Sequence, residues 1–255
     1  MVVVVLLKKL VLLLAVLPLA SPLILEISEK TVAEEVESEC TSWRVSVEAN
    51  NNLSPWKQIP KECGEYVKRY MRLRGYASDV ERVCREAKMY ARSVNFSGDV
   101  KPKYAWIFDI DETLLSNIPY YHHHGYGLEI FNSTKFDEWV DMGMAPAIDP
   151  ILRLYEEVLR LGFKIIILGG RSVSRQSITV HNLLQAGFTD WDKLILRSPE
   201  DHGKKAMMYK SEKRKELVLE GYEIVGNCGD QWSDILGSSI SKRSFKLPNP
   251  MYCIP

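Results

Sequence analysis

Two rhythms of apolar residues divide the chain. Residues 26–100 carry helical spacing and irregular stretches, whereas beyond Lys101 short apolar runs alternate with amphipathic ones. Tyr104-Ala-Trp-Ile-Phe108, Phe163-Lys-Ile-Ile-Ile-Leu168, Leu194-Ile-Leu196 and Tyr222-Glu-Ile-Val225 are short, apolar and sharply bounded, as strands buried on both faces of a parallel sheet are. Between the first two, Asp149-Pro150 reads as an N-cap followed by proline at the first helical position. Ile151, Leu152, Tyr155, Val158 and Leu159 form the apolar face of that helix, and Gly162 stops it. Gly169-Gly170 reads as the turn after the second strand. A helix then runs to about Ala186 before Gly187, and another from about Gly203 to Glu220 before Gly221. Strand and helix alternate, which predicts an α/β fold with a doubly wound parallel sheet. Ligands of such sheets bind at the carboxyl ends of the strands.

Residues 22–101 read as a helical N-terminal extension and 102–255 as the core. The best element of the extension begins at Ser78, where Ser-Asp-Val-Glu forms a capping box with Glu81; Val80, Val83, Cys84, Ala87, Tyr90 and Ala91 share one face. Lys8 and Lys9, the apolar run to Ala20 and the small residues near Ser21 mark 1–21 as a secretory signal peptide, a membrane anchor being the alternative. Export is consistent with the sequons at Asn52, Asn95 and Asn132, and it would permit two disulfides among Cys40, Cys63, Cys84, Cys228 and Cys253, with one thiol left over. Basic and acidic residues balance at 33 each without long blocks of one sign, so nothing points to nucleic acid or, after signal removal, to a membrane surface. A small diffusible substrate is expected; a homodimer is left open.

The strand ends carry the chemistry. Asp109 and Asp111 follow the first core strand, and Asp230 and Asp234 follow the last, with Gly229 allowing close backbone approach. Like charges so crowded repel unless a cation neutralises them, and hard oxygen donors suit Mg²⁺. An isolated Asp-x-Asp is more often a solvated loop, but two such clusters on one sheet favour a metal site. Lys210, one of the lysines at 205, 210, 213 and 215, could reach the same edge.

Asp109-Ile-Asp111-Glu-Thr113, Gly170-Arg171, Lys210, and Gly229-Asp230 with Asp234 resemble, in order and strand context, the four motifs of the haloacid dehalogenase superfamily. Leu115-Ser-Asn-Ile-Pro-Tyr-Tyr, Gly226-Asn-Cys-Gly-Asp-Gln-Trp-Ser-Asp and Phe245-Lys-Leu-Pro-Asn-Pro-Met-Tyr are similar, more narrowly, to plant class B-type acid phosphatases and the vegetative storage proteins. The resemblance implies a secreted or vacuolar Mg²⁺-dependent acid phosphatase with a haloacid dehalogenase-like core. Asp109 would be the nucleophile, giving an aspartyl-phosphate, and Asp111 the general acid/base. Asp109, the Asp111 backbone carbonyl and Asp230 would hold Mg²⁺, supported by Asp234, while Gly169, Gly170 and Lys210 would bind phosphate. Residues 114–148 are read as a small helical cap, with Phe131, Phe136, Trp139 and Val140 as its core. His122, His123 and His124 point in different directions and read as substrate contact or exposed loop ahead of metal binding. The family pattern has Thr or Ser where this chain has Gly169, so a slow phosphatase is expected, and Gly169→Thr should raise kcat/KM about tenfold through one hydrogen bond to the phosphoryl group. A storage glycoprotein with vestigial activity is the alternative. A phospho-receiver domain is disfavoured by the Asp-x-Asp-x-Thr spacing and the cap-length insert.

Overall fold

The computed structural model describes residues 32–95 and 103–255, so the signal-like segment 1–21 lies outside the described residues. The chain divides into two units, 1–45 and 46–255. Of the first, residues 32–45 are helical. The second contains one parallel sheet of β1 (Lys103–Phe108), β2 (Lys164–Ser172), β3 (Lys193–Arg197), β4 (Tyr222–Gly229) and β5 (Arg243–Lys246), in the order β3-β2-β1-β4-β5. The chain winds outward in both directions from β1, which makes the carboxyl end of β1 the switch point where such sheets bind ligands. The helices are α1 (Gly64–Arg72), α2 (Arg74–Ser93), α3 (Ile118–His123), α4 (Ser133–Met142), α5 (Asp149–Arg160), α6 (Gln176–Gln185), α7 (Ala206–Leu219) and α8 (Trp232–Ile235).

Alternation along β1 builds two cores. Ala105 and Ile107 pack with Ile166, Leu168 and Ile224 against Tyr209 and Leu217 of α7. Trp106 and Phe108 point the other way: Trp106 stacks on Phe245 at 5.5 Å and meets Tyr90 of α2, and Phe108 meets Tyr155 of α5 at 5.5 Å. Burial of each such large side chain is worth roughly 1.5–3 kcal/mol, so a central strand apolar on both faces is what both helical layers are held to.

Several elements differ from their sequence reading. α2 begins at Arg74, with Leu73 as an N-cap that makes no side-chain bond, and Ser78 and Glu81 lie inside it. The stripe of Val80, Cys84, Ala87 and Ala91 reaches back to buried Tyr76, and burying that ring outweighs a local cap at Ser78. α5 starts at Asp149 itself with Ile148 as N-cap, and Leu154 joins its buried face. Gly169 and Gly170 do not form a turn, because β2 continues to Ser172 with a register irregularity against β3 after Leu168. β5 escapes the hydrophobic pattern since only Phe245 of its Arg-Ser-Phe-Lys is apolar. Cys84, Cys228 and Cys253 are free thiols, so the two disulfides that the composition permits do not both form.

The insert between β1 and α5 carries α3 and α4. Its root closes through a Leu115–Ala147 bridge and through Ser116 N–H donating to Pro146 O at 2.8 Å. Asn132 caps α4, its Oδ1 accepting from Lys135 N at 3.1 Å. Phe131 is 54% exposed and so is not core, in contrast to buried Val140. His122 and His124 turn apart, to Tyr126 Oη at 2.9 Å and Glu129 Oε2 at 2.8 Å. At Gly127, with φ of 100°, a Cβ would stand 2.1 Å from Met251 O, and Gly127 O accepts from Ile59 N at 3.0 Å. Only glycine fits there, and Tyr121 of α3 stacks on Tyr252 at 5.2 Å. Both contacts fasten the insert to the C-terminal segment. No described helix is long and apolar enough to cross a membrane.

Candidate active site

β1 ends by placing Asp109, 7% exposed, beside β4, with its N–H donating to Cys228 O at 3.0 Å. The chain then turns tightly: Ile110 O accepts from Leu114 N and Leu115 N at 2.9 and 2.8 Å, and Glu112 takes a left-handed φ of 54°. β4 delivers Asp230, and α8 carries Asp234, whose Oδ2 accepts from Gln231 N at 2.9 Å. α7 brings in Lys210, 5% exposed, whose Nζ donates to Asp109 Oδ1 and Asp234 Oδ1 at 2.5 Å each. One carboxylate oxygen each from Asp109, Asp230 and Asp234 lie within 4.8 Å of one another, all buried.

Three buried carboxylates against one ammonium leave an excess of negative charge. Burial pushes the Asp109 carboxyl up against the pull of Lys210, and the charges of Asp234, Asp230 and Asp111 add to the rise. Burial and then the Asp234 charge push Asp230 up to about 7, against hydrogen bonds from Asn249 and Gln231. Those bonds, Asn249 Nδ2 and Gln231 Nε2 to Asp230 Oδ2, are both 2.7 Å. Lys210 is held charged: burial disfavours the ammonium, but Asp109 and Asp234 more than compensate.

Asp111 stands apart from this cluster. Arg171, at the end of β2, grips it with Nε–Oδ2 at 3.1 Å and Nη2–Oδ1 at 2.8 Å, and Asn117 Nδ2 adds a bond at 2.9 Å. Trp139 of the insert orients Asn117 by donating to its Oδ1 at 2.8 Å. Burial raises the Asp111 carboxyl, but the Arg171 charge and these bonds bring it below its ordinary value. Arg171 Nη1 is buried with no hydrogen-bond partner.

Gly169 and Gly170 lie on β2 beside this turn. Gly170 is open, with nothing within 4 Å of an added Cβ. At Gly169 the φ is not positive, so backbone strain is no obstacle; instead a Cβ would stand 2.4 Å from Ile110 Cδ1 and 2.9 Å from its Cγ1. Ile110 fills the space a hydroxyl-bearing residue would need. A tip methyl can rotate away, so Gly169→Ser alone is expected to gain less than the roughly tenfold that one charge-assisted bond allows. Gly169→Ser with Ile110→Val is expected to recover that gain in kcat/KM. No gain in the double variant, with folding intact, would remove position 169 from phosphate binding.

Of the residues singled out by sequence, Asp109, Asp230, Asp234 and Lys210 come together, Gly169 and Gly170 flank them, and Asp111 faces Arg171. Asn117, Asn249 and the side chain of Arg171 were not anticipated as site residues. Asn249 had a signal, since Pro248 and Pro250 on either side fix its backbone.

The strand order, the switch point at β1 and the acidic cluster define a doubly wound protein of the haloacid dehalogenase type. The family model for the haloacid dehalogenase superfamily, subfamily IIIB (acid phosphatase), matches residues 24–255, and the chain belongs to this family, as an enzyme of the phosphoric monoester hydrolase class. It is 58% identical to Acid phosphatase 1 of Solanum lycopersicum over 91% of this chain and 89% of that one. It is also 39% identical to Vegetative storage protein 2 of Arabidopsis thaliana, over 90% and 86%. Among solved structures it is similar in fold to the class C acid phosphatase of Bacillus anthracis, with a TM-score of 0.62 at 20% identity, covering 74% of this chain and 85% of that one.

Proposed function

We propose that this chain is an exported, Mg²⁺-dependent phosphatase of small phosphate monoesters, with Asp109 as nucleophile. The observation that carries this reading is the charge deficit at the carboxyl end of β1, where Asp109 and Asp234 share Lys210 and a buried Asp230 oxygen lies within 4.8 Å of theirs. Buried acids are tolerated when a cation completes them, and an all-oxygen donor set suits Mg²⁺. The three carboxylates and the Asp111 backbone carbonyl would hold the ion. When bound, it supplies the positive charge that the phosphoryl oxygens and the attacking carboxylate both need.

Asp109 attacks phosphorus in line; an O–P bond forms to its carboxylate as the bond to the alcohol oxygen breaks. Lys210 keeps Asp109 oriented and neutralises the phosphoryl oxygens. Asp111 delivers a proton to the leaving oxygen and later takes one from the water that releases phosphate. In the free site Asp111 is engaged by Arg171, so the acid role requires the arriving phosphoryl group to draw Arg171 off, through the Nη1 that has no competing partner. Asn52, Asn95 and Asn132 are exposed, which suits glycosylation in an exported chain.

The second reading, a storage glycoprotein with vestigial activity, is favoured by Gly169 and by similarity to the Stem 28 kDa glycoprotein of Glycine max, at 48% identity over 87% of this chain and 86% of that one. Turnover of p-nitrophenyl phosphate decides between them. Activity lost in EDTA and restored by Mg²⁺ is expected; trace turnover indifferent to Mg²⁺ would favour storage.

The metal also has a signature in stability. Asp230 is raised to about 7, so its contribution to metal-free stability is complete below pH 4 and lost as pH rises through 7, on the order of a few kcal/mol. Bound Mg²⁺ requires the ionised form and offsets that loss. Thermal unfolding is therefore expected to show a larger gain in Tm from Mg²⁺ at pH 7.5 than at pH 5. Equal gains would dissociate Asp230 from the metal.

A further inference from the structure

The two carboxylate oxygens of Asp230 are treated differently by their surroundings. Oδ2 accepts from Asn249 Nδ2 and from Gln231 Nε2 at 2.7 Å each, and all three side chains are buried. Among the described residues Oδ1 has one long contact, from Thr113 Oγ1 at 3.4 Å. Two charge-assisted bonds converging on one oxygen occupy its lone pairs and keep the carboxylate from rotating.

Main-chain donors fix the direction of both amides. Met251 N donates to Asn249 Oδ1 at 3.0 Å, and Ile254 N donates to Gln231 Oε1 at 2.9 Å. A peptide N–H cannot accept, so each amide oxygen must face it and each NH₂ must face Asp230; a flipped amide would set N–H against N–H and oxygen against carboxylate. Asn249 is itself held by Pro248 and Pro250 on either side and by its own N–H, which donates to Glu48 Oε2. Residues 247–255 thus act on the acidic cluster through neutral groups, adding direction without adding charge.

That direction bears on which ion the cluster takes. Mg²⁺ is small and demands near-ideal octahedral geometry, which the narrow bite of a chelating carboxylate distorts, whereas Ca²⁺ is larger and readily takes a carboxylate through both oxygens. Both ions are hard and suit an all-oxygen site, so donor type does not separate them. The number of oxygens each acid releases does. With Oδ2 occupied, Asp230 offers Oδ1 alone.

We propose that Asn249 and Gln231 are positioning residues that withhold one Asp230 oxygen from the bound cation and thereby favour Mg²⁺ over Ca²⁺. The assignment rests on the Mg²⁺ site read at Asp109, Asp230 and Asp234. Without the Asn249 donor, Mg²⁺ loses a ligand held ready for it. Ca²⁺ loses the same preparation but gains a second oxygen.

Calorimetric titration of the full chain with Mg²⁺ and, separately, with Ca²⁺ tests this, with thermal unfolding of the metal-free protein as the check on folding. Asn249→Ser removes the donor and keeps an oxygen able to accept from Met251 N, so the local turn persists. The Mg²⁺ Kd is expected to rise about tenfold, the lower end of what losing a group that orients a metal ligand costs, while the Ca²⁺ Kd rises less than about threefold or falls. Gln231→Met strips the same oxygen from the start of α8 and should move the ratio of the two Kd values in the same direction, which keeps the test open should Asn249→Ser unfold. If both Kd values rise by one factor, or neither changes, the selectivity assignment is wrong and the metal reading stands. If the wild-type protein binds neither ion, the metal reading falls and takes the assignment with it. If the ratio shifts as expected but p-nitrophenyl phosphate is not turned over with Mg²⁺ present, the assignment stands and the phosphatase reading falls.

Discussion

Asp109→Asn is expected to lower kcat at least about 10³-fold while the folded structure persists, because an amide oxygen cannot form the covalent phosphoryl intermediate. Asn retains an oxygen able to accept from Lys210 and removes one negative charge from a cluster that has too many. The metal-free protein at pH 7 should therefore unfold no earlier than wild type. Release of p-nitrophenol and thermal unfolding, followed on the same preparation, separate the two effects. Retention of more than about a tenth of wild-type kcat would exclude Asp109 as nucleophile.

Lys210→Met is expected to damage both activity and stability. Without the ammonium, Asp109, Asp230 and Asp234 face one another uncompensated, and removing one partner of a buried ion pair costs about 3–5 kcal/mol. At roughly 2–4 °C per kcal/mol for a chain of this size, Tm should fall by about 10 °C in the absence of metal. The sign of the pH dependence follows from Asp109 and Asp230, both raised. Below pH 4 they are protonated in the folded and unfolded chain alike and the missing cation is least felt; as pH rises, Asp230 ionises through about 7 and the deficit grows. The variant should thus lie closer to wild type at pH 4.5 than at pH 7.5. Adding Asp109→Asn to Lys210→Met should recover part of the loss, since contacting charges are not additive. A pH-independent deficit would mean that Lys210 acts only by filling space.

Much of the fold can be read along the chain because its central strands are apolar on both faces. Tyr104 to Phe108 needs no partner to be recognised, whereas Arg243 to Lys246, an edge strand with one apolar residue, is visible only once Phe245 is seen lying on Trp106. Two acidic clusters following apolar runs were enough to single out the strand ends at which Asp109, Asp230 and Asp234 come together. Lys210 is harder to pick out from its neighbours, yet spacing does so in retrospect: with Ala206 and Leu217 it lies on the buried face of α7, and Lys205, Lys213 and Lys215 do not. What sequence does not carry is register between distant segments. The fork from Arg171 to Asp111, the bond from Asn249 to Asp230 and the methyl of Ile110 in front of Gly169 each join residues that nothing in local spacing relates. That last contact changed an expectation, from a single missing hydroxyl to a pair of positions that must change together.

The seam at Gly127 has a kinetic consequence. An insert whose backbone lies against Met251 O, so closely that a methyl group would not fit, and whose far helix is tied to the core through Arg175, is fastened at two separated points. It behaves as a fixed vestibule, without the freedom to swing as a flap. Substrates then enter and products leave through a standing aperture, so turnover should be insensitive to solvent viscosity beyond the simple diffusion of small molecules, and what the enzyme admits is decided by the shape of its doorway before any chemistry begins.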